Sequence, residues 1–190
     1  MGTYAEWVAG KEVGIEWAPT MTSAEADLWA QGSKLDQIYY HSTSDEAAAS
    51  IRSGGFRLDV GVKNGRALGD GVYLAENKED ANWGPARLNI RANVQNPSTY
   101  SEINRGNSLP LEFRGVARPA QYLPDEDGFI ARSNWDWVWD LGEEHYPGLN
   151  SAERSSAVLS EMGIDAITDT RTHAGTCVFD PRNLVVVLGE

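Results

Sequence analysis

The stretch Ile38-Tyr39-Tyr40-His41-Ser42-Thr43-Ser44 carries β-favouring residues into a histidine and then into small hydroxyl side chains. An imidazole at a strand tip can hold a hydroxyl or a carbonyl, and it titrates near neutrality. Ser44 reads as the N-cap of a following helix, with Asp45 and Glu46 in the first turn, where the helix dipole favours negative charge. Ala48 and Ile51 share one face, Arg52 falls in the last turn, and Gly54-Gly55 stops the helix. His41 therefore looks into the gap between a strand end and a helix N-terminus. Free backbone N–H groups in such a gap suit a phosphate or an amide ligand. The blander role for His41 is to satisfy a neighbouring carbonyl.

A second stretch, Gly69-Asp70-Gly71-Val72-Tyr73-Leu74-Ala75, reads as a tight turn feeding a strand. By itself Tyr73 is a half-buried sheet residue. Trp83, before Gly84, reads as a core residue at a helix end. Cys177 lies among strand residues and reads as a buried small hydrophobe. His145 falls in a polar turn and reads as solvated.

The elements that must position these residues follow from pattern. Val13-Gly14-Ile15-Glu16-Trp17 is a candidate strand closed by Pro19. Thr22-Ser23-Ala24-Glu25 has the capping-box pattern, so a helix is expected to about Gln31. A short helix is expected over 78–83, stopped by Gly84-Pro85. Residues 88–94 alternate like a strand with one wet face, ended by Asn96-Pro97. Residues 98–149 form an irregular, Trp-rich insertion broken by Pro110, Pro119 and Pro124. Within it, Trp135-Asp136-Trp137-Val138-Trp139-Asp140 alternates as in a strand with an aromatic face. A lid, a partner-binding patch and a plug over the core edge are the other readings of that stretch. Asn150 and Ser151 open a helix that Gly163 ends, followed by strands over 164–169, 176–181 and 184–188, with His173 in the first intervening loop. Short strands with few helices predict an α+β fold.

A chain of 190 residues is expected to be one domain, with residues 1–35 as an N-terminal extension. The single cysteine rules out an internal disulfide and fits a reducing compartment. No stretch approaches the length of a membrane span, and no basic-then-apolar leader is seen, so a cytoplasmic protein or one delivered into a host cytosol is expected. The formal charge of −12 argues against binding along duplex nucleic acid and favours a basic or neutral target. It leaves room for a nucleotide held in a local pocket. No metal site is expected.

In their order and spacing the motifs resemble the ADP-ribosyltransferases of the histidine–tyrosine type, the poly(ADP-ribose) polymerase and diphtheria-toxin branch. Tyr40-His41-Ser42-Thr43 is similar to that branch's first motif, and Gly69 through Ala75 to its Gly-x-Gly-aliphatic-Tyr-apolar-Ala strand. Ala81-Asn82-Trp83 falls where the polymerases carry Ala-Asn-Tyr, one residue closer here. Val178-Phe179-Asp180-Pro181 with its apolar strand resembles their closing segment, and Trp83-Gly84 is also similar to the rifampin ADP-ribosyltransferases. The likeness spans residues 38–95 and 150–188.

The resemblance implies a split antiparallel β-sheet core with short helices, and NAD as substrate. NAD cleavage needs the nicotinamide ring held while its bond to ribose breaks and positive charge develops on the sugar. Tyr73 would supply the stacking face, with Trp83 as the second. His41 would bond the ribose hydroxyl of the adenosine half, positioning the substrate. The backbone at Ser42 would hold the carboxamide, assisted by the side chains of Thr43 and Ser44, with Gly71 and Ala75 completing the binding set. The branch usually has glycine after the histidine, so Ser42 is a departure. A larger one falls on Gly175, where the branch carries a glutamate that steadies the developing cation. The rifampin-type enzymes take an aspartate from the loop comparable to 96–104, where Glu102 is the replacement expected. In another reading there is no fixed acid and the target's own carboxylate or base assists. Asp169 and His173, read as solvated turn residues, flank another loop within reach.

The expected activity is mono-ADP-ribosyl transfer to an unidentified acceptor, macromolecule or small molecule, by a bacterial or phage effector. A toxin that hydrolyses NAD, a module that binds NAD or ADP-ribose without turnover, and an interaction protein using 135–139 are the alternatives. Polymer formation is not expected.

Overall fold

The computed structural model describes residues 17–58, 68–169 and 175–189. In chain order its elements are β1 (Thr20–Met21), α1 (Ser23–Trp29), β2 (Tyr39–Thr43), α2 (Asp45–Gly54), β3 (Val72–Leu74), β4 (Ala86–Ala92) and β5 (Pro97–Thr99). They continue with α3 (Tyr100–Asn104), β6 (Glu112–Phe113), β7 (Val116–Ala117), α4 (Asn134–His145), α5 (Ser151–Glu161), β8 (Ala166–Asp169), β9 (Gly175–Val178) and β10 (Leu184–Val187). One sheet has the order β1-β10-β4-β2, a second β3-β9-β8-β5, and β6-β7 is a small hairpin. Both large sheets mix antiparallel pairs with one parallel pair, β1 with β10 and β5 with β8. The fold is α+β.

β10 explains the layering. All its residues are buried because both of its faces are covered. Leu184 and Val186 face a core shared with Leu88 and Ile90 of β4 and with Val72, Leu74 and Val178 of the second sheet. Val185 and Val187 face Met21, Ala26 and Trp29, so α1 covers the outside of the first sheet. The outer face of the second sheet, with Ile167 and Cys177, packs on Trp137, Val138 and Leu141 of α4 and on Val158 and Leu159 of α5. Tyr73 packs on that outer core, whereas its neighbours Val72 and Leu74 point into the middle one.

Several helix ends form as the sequence predicts. Thr22 and Asn150 make capping boxes with Glu25 and Glu153, and the Ser44 hydroxyl accepts from Ala47 N–H at 3.1 Å. Cys177 is fully buried. Residues 17–35 are packed against the first sheet through Met21 and Trp29. The strand expected over 13–17 lies outside the described residues but for Trp17.

Four expectations are corrected. The stretch 135–140 is part of helix α4, not a strand. Ser133 caps it, accepting from Trp135 N–H at 3.1 Å, and Trp137, Val138 and Leu141 fall on one buried face at helical spacing. Burying Val138 and Leu141 contributes roughly 1.5–3 kcal/mol each, which outweighs the alternating pattern. The region 98–149 thus holds α3, a hairpin and α4. The helix expected over 78–83 is a series of turns, because its backbone groups bond to side chains of β2 and β4. His145 is half-buried in the last turn of α4, its ring 5.4 Å from that of Phe113. Asp169 is a buried strand residue, 8% exposed, and not a solvated turn residue.

Candidate functional site

β2 and β3 lie in different sheets and meet at one bridge. Tyr40 N–H donates to Ala75 O at 2.9 Å and Ala75 N–H to Tyr40 O at 2.8 Å. Beside that seam lies an open cleft of ≈ 390 Å³, lined by Tyr40, His41 and Ser42 from β2, by Tyr73, Leu74 and Ala75, and by Asp80, Ala81 and Trp83 from the following turns. The structure therefore brings together His41, Ser42, Tyr73, Ala75 and Trp83, the main set expected from the sequence.

His41 Nδ1 lies 2.9 Å from the carbonyl oxygen of Tyr73. A carbonyl only accepts, so the bond places the proton on Nδ1 and leaves Nε2 as an acceptor. Burial pulls the imidazole pKa below its ordinary value, and the bond to Tyr73 O opposes this without reversing it. The ring is therefore neutral at pH 7. Phe56 stands edge-on to it, with centroids 5.1 Å apart, and fixes its plane. His41 thus satisfies a carbonyl, as in the bland reading, and that same bond orients a free acceptor.

Tyr73 is held at both ends. Its backbone sits between β9 and the seam, and its hydroxyl accepts from Leu68 N–H at 2.8 Å while donating to Gly69 O at 3.0 Å. Gly69 has φ +117°, and a Cβ there would lie 2.5 Å from Ser156 Oγ, so the turn that anchors the hydroxyl needs glycine.

The part of the lining from Asp80 to Trp83 is held differently. Ser42 Oγ accepts from Trp83 N–H at 2.8 Å. Arg87, the cross-strand partner of Ser42, donates from Nε and Nη2 to Ala81 O at 3.2 and 3.1 Å. Gly84 lies so close to β2 that a Cβ would come within 2.3 Å of Thr43 O. The Trp83 indole is 75% exposed, which corrects its reading as a helix-end core residue. The hydroxyl of Ser42 explains its presence after the histidine: it ties this wall to β2.

Not every expected residue reaches the cleft. Glu102 is exposed on α3 and closes a capping box, accepting from Thr99 N–H at 2.8 Å. That bond, with the Thr99 hydroxyl, holds its carboxyl below the usual range, so it is an ionised cap. Ser44 is committed to capping α2. Thr43 and Gly71 are absent from the lining, and Gly71 packs tightly on Cys177 and Val178 instead. His173 lies outside the described residues.

Gly175 has φ +69°, and a Cβ there would sit 2.2 Å from Leu74 O. The backbone therefore excludes a glutamate at this position, whatever its rotamer. Asp169 is its direct partner on β8. The cleft does carry one acid that the sequence reading missed, Asp80, whose carboxylate accepts from Asn77 Nδ2 at 3.1 Å. An acid in a polar turn carries no sequence signal that distinguishes it from ordinary surface charge.

No protein-family model matches the chain, and no curated protein matches it.

Proposed function

We propose that the cleft binds NAD and that the protein transfers single ADP-ribose units from it to an acceptor, with release of nicotinamide. The two sheets meeting at the β2–β3 seam are, on this reading, the split core of the ADP-ribosyltransferases. The observation that carries the proposal is the coupling of His41 to the Tyr73 carbonyl beside an open cleft. One bond sets the imidazole tautomer and joins the two residues that the motifs single out.

The nicotinamide ring lies on Tyr73, whose pinned hydroxyl keeps the ring from turning when the cationic heterocycle docks. His41 Nε2 accepts from a ribose hydroxyl, and the backbone at Ser42 borders the carboxamide. As the bond between nicotinamide and ribose breaks, its electron pair passes to the ring, which leaves neutral. The sugar carbon, now carrying positive charge, is taken by the acceptor. The residues named bind and orient the substrate. The solitary cysteine suits an effector that works in a reducing cytosol.

Gly175 favours a second reading, a module that binds NAD without turning it over. Incubating the protein with adenylate-labelled NAD and a bacterial lysate separates the two. Released nicotinamide with a labelled product supports transfer, and nicotinamide without acceptor supports hydrolysis. Saturable binding with intact NAD after hours supports the module.

A further inference from the structure

The outer wall of the cleft is assembled before any ligand arrives. Ser42 and Arg87 hold it by Trp83 N–H and Ala81 O, and Asn77 holds one carboxylate oxygen of Asp80. What it presents to the cleft is two exposed residues from the same short run of turns, Asp80 and Trp83, the latter 75% exposed. Among the described residues no lysine or arginine lines the cleft and none pairs with Asp80. The guanidinium of Arg87 is committed to Ala81 O. An indole that served only to close over a ring inside the cleft would need one face, and Trp83 leaves most of its surface open.

Resting on the reading of the cleft as a site of ADP-ribose transfer, we infer that Asp80 and Trp83 form the acceptor subsite and that it takes a guanidinium group. A guanidinium is planar, so it stacks on an indole face, and its forked N–H groups match a carboxylate. An ammonium offers the charge without the plane. The net charge of −12 draws a basic target toward the mouth. In the transfer, one guanidinium nitrogen bonds to the ribose carbon as the bond to nicotinamide breaks. Nicotinamide leaves with the bonding pair. The proton displaced from the attacking nitrogen passes to the Asp80 carboxylate and on to water, so the product keeps its guanidinium charge.

The test uses the full chain, labelled NAD, and agmatine as the guanidinium probe. Cadaverine serves as the ammonium comparison and buffer alone as background. The expected result is a labelled agmatine adduct, nicotinamide release raised severalfold over buffer, and little adduct with cadaverine. Asp80→Asn should raise the agmatine KM by about fivefold, more than it raises the KM for NAD, and Asp80→Glu should recover part of the loss. Agmatine performing no better than cadaverine, or equal movement of both KM values in Asp80→Asn, overturns the inference. If no nicotinamide appears under any condition, it is the transfer reading that has failed. The subsite is then judged by calorimetry with agmatine alone: saturable binding weakened by Asp80→Asn sustains it, and no binding overturns it.

Discussion

The two aromatic walls of the cleft are held by opposite means. Tyr73 belongs to the core: its strand pairs with β9, its ring packs on the outer apolar layer, and its hydroxyl is bonded to the backbone of Leu68 and Gly69. Trp83 is hung from outside, by its backbone N–H and by the carbonyl of Ala81, while its indole stands in solvent. The inner wall is rigid at the cost of tolerance, since any change there is felt by the fold. The outer wall is anchored through side chains of β2 and β4, so its exposed ring is open to change without loss of stability.

The largest break is expected at Gly175, behind the inner wall. Gly175→Ala places a Cβ against Leu74 O at a positive φ, and should destabilise the protein by about 3 kcal/mol. Denaturant unfolding measures this, and a loss below about 1 kcal/mol would show that the strand shifts easily. Tyr73→Ala comes next. It should cost about 2 kcal/mol of stability, because the half-buried ring leaves only part of its surface in the core, and remove nicotinamide binding, whereas Tyr73→Phe should cost about 1 kcal/mol and keep most of it. Equal binding losses in the two variants would mean that the hydroxyl, not the ring, is what the ligand uses.

His41 sharpens the comparison through pH. Its folded pKa lies below the unfolded value of about 6.5, so the stability tied to the neutral ring is fully present above that value. It is lost as pH falls below it toward the folded pKa. Ligand binding through Nε2 should weaken as pH falls through that lowered folded pKa, and His41→Gln should flatten the profile. Binding that strengthens as the solution is acidified would refute the assigned tautomer. The smallest effect is expected at the outer wall. Trp83→Ala should leave stability within about 0.5 kcal/mol while weakening NAD binding by roughly 0.5–1.5 kcal/mol, as read by calorimetry. A marked fall in thermal midpoint would place Trp83 with the inner wall after all.

Much of the frame was legible in the chain. The caps at Thr22, Ser44 and Asn150 are local devices, whose side chains accept from backbone N–H groups at most three residues away, and so they show in sequence. The strand positions of β3 and β10 follow from apolar runs between turn residues, and that of β2 from β-favouring residues leading to a helix cap. The alternation of the tryptophan stretch happens to fit a two-residue period, and only packing of Trp137, Val138 and Leu141 on one face reveals the helix. The turns of 78–83 carry no local signal, because their partners, Ser42 and Arg87, come from other strands. Glu102 looked like a free acid until its capping box with Thr99 accounted for it.

The chain by itself determined which residues are competent: a histidine at a strand tip, a tyrosine on the next strand, and glycines at the turns around them. Those follow from short-range preference and hydrogen-bond inventory. Only the tertiary structure decided that His41 turns its Nδ1 to Tyr73 O, that Leu74 forbids a side chain at 175, and that Asp80 stands at the mouth. Each of these depends on where two strands distant in sequence come to lie, and no local pattern encodes the distance between them.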